Sequence, residues 1–191
     1  MIITTTPIAG VAIIDLELRS DDRGFFARSF DAQEFRAAGL EPMVAQCNVS
    51  FNHLKGTLRG MHFQVAPHPE AKLVRCTRGA IVDIIVDMRP DSPTRLQHVA
   101  VELTADNRRS FYVPPHFAHG YQTLTDDTEV TYQVGGSYEP RAERGLRYDD
   151  PTLALEWPLQ VTRISAKDSS WALLAERDQA ELAGLNEEVH A

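Results

Sequence analysis

The chain has 191 residues, 43% of them hydrophobic and 24% charged, and carries a formal net charge of −8. That length supports a sizeable core and predicts one domain spanning 1–191, while the ordinary apolar share predicts a globular chain. The acidic balance excludes the basic footprint that a nucleic acid partner requires, although a few local Arg and Lys side chains suffice for one small anionic ligand. Cys47 and Cys76 form no CxxC pair, so neither a disulfide framework nor a zinc site is expected, and reduced, cytoplasmic thiols are the default. The apolar run at 8–14 has no basic stretch before it and meets Asp15, which argues against a secretory signal. No run reaches the length of a membrane span.

In chain order, VAIIDLEL (11–18) reads as the first strand. Asp31 and Glu34 have capping-box spacing and predict a short helix to about Ala38, stopped by Gly39. LRGMHFQ (58–64) reads as a strand or extended turn. Strands follow at 71–77, 80–88, 98–103, 108–113 and 128–134, rich in β-branched and aromatic residues and separated by turn signals such as Arg78-Gly79 and Pro114-Pro115. From about 169 to 185, Trp171, Leu174, Leu182 and Leu185 recur among charged residues and predict one or two surface helices. Many short strands at close spacing predict a mainly β sandwich, jelly roll or barrel.

His62 and Gln64 share a face if 58–64 is a strand, and Arg59 is placed with them. A histidine there is either a satisfied core residue or a general base near neutral pKa. Lys72 starts an apolar strand, where a lysine either snorkels at the edge or offers a fixed positive charge. Tyr132 is either packing or a phenol placed to donate a proton. Asp168 is either a helix cap or a partner that would fix the tautomer of His62. His116 and His119 have a spacing that metals use. However, the first motif reads His62-Phe63-Gln64, and glutamine is a poor ligand for transition metals; no metal is expected.

Taken together, DDRGFF (21–26), QCNVS (46–50), GTLRGMHFQ (56–64), AKLVRCTRGAIVDIIVDMR (71–89), VPPHFAHGYQTL (113–124), Tyr132, YEPRAERGLRYDDP (138–151), Trp157-Pro158 and SAKD (165–168) resemble the dTDP-4-dehydrorhamnose 3,5-epimerase family. The resemblance runs from about Asp21 to Asp168. It implies a cupin-like jelly roll (double-stranded β-helix) with short peripheral helices, a homodimer, a nucleotide-diphosphate sugar as substrate and no cofactor. It also implies His62 as base, Asp168 as its partner, Tyr132 as the acid on the opposite face of the sugar, and Lys72 as stabiliser of the enolate oxygen. Arg23, Gln46, Asn48, Arg59, His119, Glu143 and Lys167 would bind substrate, and Tyr138 would stack on the base.

The residue types suit that chemistry. A ketone at carbon 4 acidifies the protons at carbons 3 and 5; the enolate needs a fixed positive charge or a donor, which Lys72 could supply; and inversion needs a second acid, which a phenol protonated at neutral pH supplies. Two positions depart from the family pattern. Arg28 stands where glutamate is usual, and Glu70 where glutamine is common. The charge reversal at 28 either rewires the base pocket or pairs with Glu70. The rival expectations are an epimerase acting at carbon 3 or 5 alone, another nucleotide sugar, a metal-dependent cupin, and a non-catalytic sugar-nucleotide binding protein.

Overall fold

The structure, a computed structural model, describes residues 1–178 and 181–182. Two antiparallel sheets face one another. The larger orders β1 (Ile2–Thr5), β2 (Ala12–Asp15), β10 (Ser110–Val113), β7 (Lys72–Arg78), β12 (Thr128–Val134) and β5 (Gln46–Asn52). The smaller orders β13 (Glu143–Gly145), β6 (Leu58–Gln64), β11 (Phe117–Thr123), β8 (Ala80–Asp87) and β9 (His98–Thr104). A separate ribbon pairs β3 (Arg19–Asp21) with β4 (Gly24–Phe26). Sheet neighbours distant in sequence are the crossover order of a jelly roll.

The strands expected at 71–77, 80–88, 98–103 and 128–134 form to within a residue of their expected ends. Two are shorter than expected. The first ends at Asp15, where its partner β1 runs out at Ile2. The one expected from 108 starts at Ser110, because Arg108 sits in the left-handed region at φ 55°.

Period-two alternation then decides what enters the sandwich. Val74 and Cys76 of β7, Val130 of β12, Ile81 and Ile85 of β8, and Phe117 and Tyr121 of β11 pack together as the central core. Lys72, Tyr132, Asp83 and His119 lie in step with them on the same strands, so the interior face carries polar groups beside the apolar ones.

A β-bulge adjusts β6 to that interior. His119 pairs with His62 but Tyr121 pairs with Arg59, so two steps on β11 match three on β6. The extra residue returns Arg59 to the side of His62, which strict alternation would deny it. Two glycines permit the close approach. A Cβ on Gly60, at φ +129°, would lie 2.5 Å from the Gly120 Cα, and one on Gly120 would lie 2.6 Å from the Met61 sulfur. Gly120→Ala is therefore expected to cost about 1–3 kcal/mol through overpacking, read as a lower urea midpoint.

The outer faces are covered by the rest of the chain. Helix α1 (Ala32–Ala37) buries Phe35 against Ala12, Ile14 and Tyr112. The aspartate half of the predicted capping box forms: Asp31 accepts from the backbone N–H groups of Gln33 and Glu34 at 2.9 and 3.2 Å. Ala142, Leu146, Leu153, Leu174 and Leu182 cover Met61, Phe63, Ile84 and Val86 on the smaller sheet. Within this cover lies a 3-10 turn at Leu174–Glu176, while α2 (Ala166–Ser169), capped by Ser165, sits beside β6 and turns Asp168 toward the interior. Leu174 and Leu182 are buried rather than on the surface; residues 179–180 and 183–185 of the expected C-terminal helical segment lie outside the described residues. Cys47 is exposed and Cys76 buried, both free. Among the described residues no helix is long and apolar enough to cross a membrane.

One buried carboxylate organises the loop after β8. Asp87 is fully enclosed and accepts from Arg89, Ser92 and Thr94 at 2.6–2.9 Å. Burial alone would raise its pKa, but these donors outweigh burial and bring it down to about 2. A depressed carboxylate stabilises the fold above its unfolded pKa, and that contribution fades as pH falls from about 4 through about 2. At about 1.4 kcal/mol per pKa unit, it amounts to about 2 kcal/mol. Asp87→Asn is expected to flatten the dependence of the urea midpoint on pH in that window.

Candidate active site

The interior opens into a groove with two connected halves. One, a cavity of about 490 Å³, is lined by Arg59, His119, Tyr121, Arg163, Lys167 and Asp168 among others. The second, about 380 Å³, is lined by Gln46, Asn48, Gln64, Glu70, Tyr138 and Glu143 among others. His62, Lys72 and Tyr132 line both and mark where the halves meet. His62 arrives on β6 of the smaller sheet, and Lys72 and Tyr132 on β7 and β12 of the larger. The histidine and the phenol therefore enter from opposite walls.

His62 is held from outside the sandwich. Its Nε2 lies 2.6 Å from Oδ1 of Asp168 on α2. The other Asp168 oxygen accepts from the Gly60 N–H at 3.3 Å, and Ser165 Oγ accepts from the Asp168 N–H at 3.0 Å. Burial would raise the Asp168 pKa, but the His62 hydrogen bond and charge, with Gly60 and Ser165, bring it below the ordinary carboxylate value. An ionised carboxylate only accepts, so Nε2 carries the proton and Nδ1 of the neutral ring keeps a lone pair able to take one.

On the facing wall, burial raises the Tyr132 pKa; Arg59 opposes that shift and Glu70 adds to it. The phenol thus stays protonated at neutral pH. Lys72 Nζ lies 3.1 Å from Glu70 Oε1. His119, opposite His62 in the register, has Nε2 3.1 Å from Oδ2 of the fully enclosed Asp83. Burial raises the Asp83 pKa against the pull of His119 and Lys72. In the second cavity Glu143 accepts from Tyr138 at 2.7 Å and from Lys167 at 2.6 Å, and its pKa falls because these donors outweigh burial. Arg59 donates to Asn52 at 2.8 Å.

Of the residues singled out in sequence, the groove gathers His62, Tyr132, Asp168, Lys72, Gln46, Asn48, Arg59, His119, Tyr138, Glu143 and Lys167. Arg23 is not brought there within this chain; it sits between β3 and β4, 85% exposed and paired with Asp21 at 2.5 Å. Arg28 pairs with Asp31 at 2.6 Å and Glu70 with Lys72, so the pairing of Arg28 with Glu70 does not form. His116 lies in the turn before β11 at φ 65°, apart from the strand that carries His119. Gln64 directs its amide to protein partners: Nε2 is within reach of His68 O, Glu70 Oε2 and Ser137 O, and Oε1 accepts from the Glu139 N–H at 2.6 Å. Sequence reading missed Asp83, Tyr121 and Arg163. Asp83 carried a usable signal, an acid with apolar residues on both sides in the strand AIVDIIVD; the other two reach the groove only through tertiary pairing.

Two facing antiparallel sheets around an acid–base groove define a cupin-like jelly-roll protein equipped to move protons. The sequence profile of dTDP-4-dehydrorhamnose 3,5-epimerase matches residues 5–176. The chain belongs to that family. It is 42% identical over 170 residues to the dTDP-4-dehydrorhamnose 3,5-epimerase of Sinorhizobium fredii, covering 88% of this chain and 87% of that one. The crystal structure of the Bacillus anthracis enzyme with TDP and PPi bound superimposes with a TM-score of 0.86 at 38% identity, covering 90% of this chain and 98% of that one. The Legionella pneumophila enzyme in complex with dTDP-4-keto-L-rhamnose gives 0.86 at 39% identity, with coverages of 94% and 95%. A Streptomyces niveus relative, 36% identical over 92% of this chain and 84% of its own, is a dTDP-4-dehydrorhamnose 3-epimerase.

Proposed function

We propose that this protein epimerises carbons 3 and 5 of a dTDP-linked 4-keto-6-deoxyhexose without a cofactor, converting dTDP-4-dehydro-6-deoxy-D-glucose to dTDP-4-dehydro-L-rhamnose. The observation that carries the reading is the entry of His62 and Tyr132 from opposite sheets, because inversion requires proton removal on one face of the sugar and return on the other. His62 takes the proton alpha to the ketone, and Asp168 stabilises the imidazolium. The electron pair moves onto the carbonyl oxygen, where Lys72 supplies positive charge. Tyr132 returns a proton to the opposite face, and solvent exchange then resets both groups. Arg59, His119, Lys167, Gln46, Asn48 and Glu143 bind the sugar nucleotide, and Tyr138 offers its ring to the base.

The test is turnover of a panel of nucleotide 4-keto sugars in deuterated water. Label at both carbons of the dTDP substrate is the expected result. Label at carbon 3 alone would favour a single inversion, the reading supported by the 3-epimerase among the relatives. Absence of label from every substrate overturns the proposal.

We also infer that two copies pair as a homodimer and that the second copy supplies Arg23 to this groove. Strand β5 lies at the edge of the larger sheet and exposes Val49 and Phe51, and the β3–β4 ribbon exposes Phe25 and Phe26. Such apolar exposure beside an open edge is what a partner covers. Sedimentation at twice the chain mass supports this; a monomer at micromolar concentration refutes it. The two unpaired thiols, Cys47 and Cys76, support a reducing, cytoplasmic setting.

A further inference from the structure

We propose that Glu70 is a positioning residue for the reaction: its carboxylate fixes the Lys72 ammonium at the junction of the two cavities. The assignment rests on the epimerase reading of the groove.

Three observations carry it. First, the ion pair is enclosed. Glu70 Oε1 and Lys72 Nζ stand 3.1 Å apart, with their side chains 10% and 11% exposed. Such a pair is weakly screened by solvent, unlike a surface salt bridge. Second, the carboxylate is itself held. Its other oxygen lies 3.0 Å from Gln64 Nε2, and Gln64 is locked in turn by Glu139, His68 and Ser137. Third, both partners line the groove, and Lys72 lines both halves. A lysine has a flexible four-carbon stem and a point charge. To stabilise an enolate, its head must already sit where charge develops, since preorganisation is what makes the interaction effective. Glu70 supplies that constraint from the loop leading into β7, two residues before Lys72.

Glu70 also puts a negative charge next to the acid–base set. Tyr132 shares its two cavities with Arg59, His62, Glu70, Lys72, His119, Tyr121, Tyr138, Glu143, Arg163, Lys167 and Asp168, of which Arg59 and Glu70 act on its charge most directly. Removing the Glu70 charge makes the Tyr132 phenol easier to deprotonate. The two functions are separable by substitution. Glu70→Gln retains the size and one of the two acceptor oxygens at a position where glutamine is common in the resemblance, so it preserves the fold while deleting the charge. Glu70→Ala deletes both.

The experiment measures kcat, KM and the pH profile of kcat for wild type, Glu70→Gln and Glu70→Ala, with deuterium wash-in as an independent readout. Glu70→Ala is expected to lower kcat by about tenfold while KM changes less than about threefold, because the lost interaction acts on the transition state. Glu70→Gln is expected to shift the basic limb of the kcat profile to lower pH. If both variants match wild type in kcat and in that limb, Glu70 is a structural ion pair only and the assignment fails. If Glu70→Ala does not fold, the Glu70→Gln profile alone decides. Failure of the wild type to wash in label would instead remove the epimerase reading beneath it.

Discussion

Replacing His62 with Asn is expected to lower epimerisation and deuterium wash-in together, by about 10²–10⁴-fold. The reason is geometric. Nε2 of His62 is bound by Asp168 at 2.6 Å, which leaves Nδ1 as the nitrogen able to take a proton. Asparagine retains polarity and approximate size but has no group that titrates near neutral pH, so proton removal stops and no enolate forms. Binding of dTDP should survive, because Tyr138, Glu143 and Lys167 reach the groove from other segments. A variant that binds dTDP and fails to exchange supports His62 as the base. One that exchanges at the wild-type rate removes it from that role.

Tyr132→Phe is expected to separate two events that the wild type couples. His62 still takes the proton and returns one from solvent on the same face, so label enters the starting material. Inversion needs the opposite wall, and that wall has lost its donor; product formation should fall by about 10²–10⁴-fold. The measurement is the ratio of labelled, uninverted substrate to product. Equal loss of both would show that the phenol is required for enolisation itself, and no loss would show that another acid serves that face. The packing cost should be small, because the ring remains and no described residue hydrogen-bonds the hydroxyl.

Much of this site was legible because it lies on strands with plain alternation. Lys72 and Tyr132 sit on β7 and β12, whose β-branched residues mark them as strands, and period two assigns their faces. Three features were hidden. Strand β11, FAHGYQT, has little β-branched content and is a strand because both its edges are paired, to β6 and to β8. Local propensity cannot report a pairing made by distant segments. The return of Arg59 to the face of His62 depends on a bulge, and a single sequence does not show where a ladder gains a residue. The separation of Arg23 from the groove depends on where a short ribbon points, which is settled by tertiary placement alone. Asp168 shows the reverse case. Its own spacing reads as a helix cap, the resemblance made it a partner of His62, and the fold brings the two within 2.6 Å across 106 residues of sequence.

That last contact has a consequence for heat. His62 is anchored in a sheet between two paired neighbours, whereas Asp168 rides on a four-residue helix laid against the sandwich from outside. Elements of that kind detach by local opening at a lower free energy than the sheets require for global melting. Activity should therefore decline reversibly some degrees before the sheets melt, with the temperature ceiling of turnover set by how firmly one short helix stays seated.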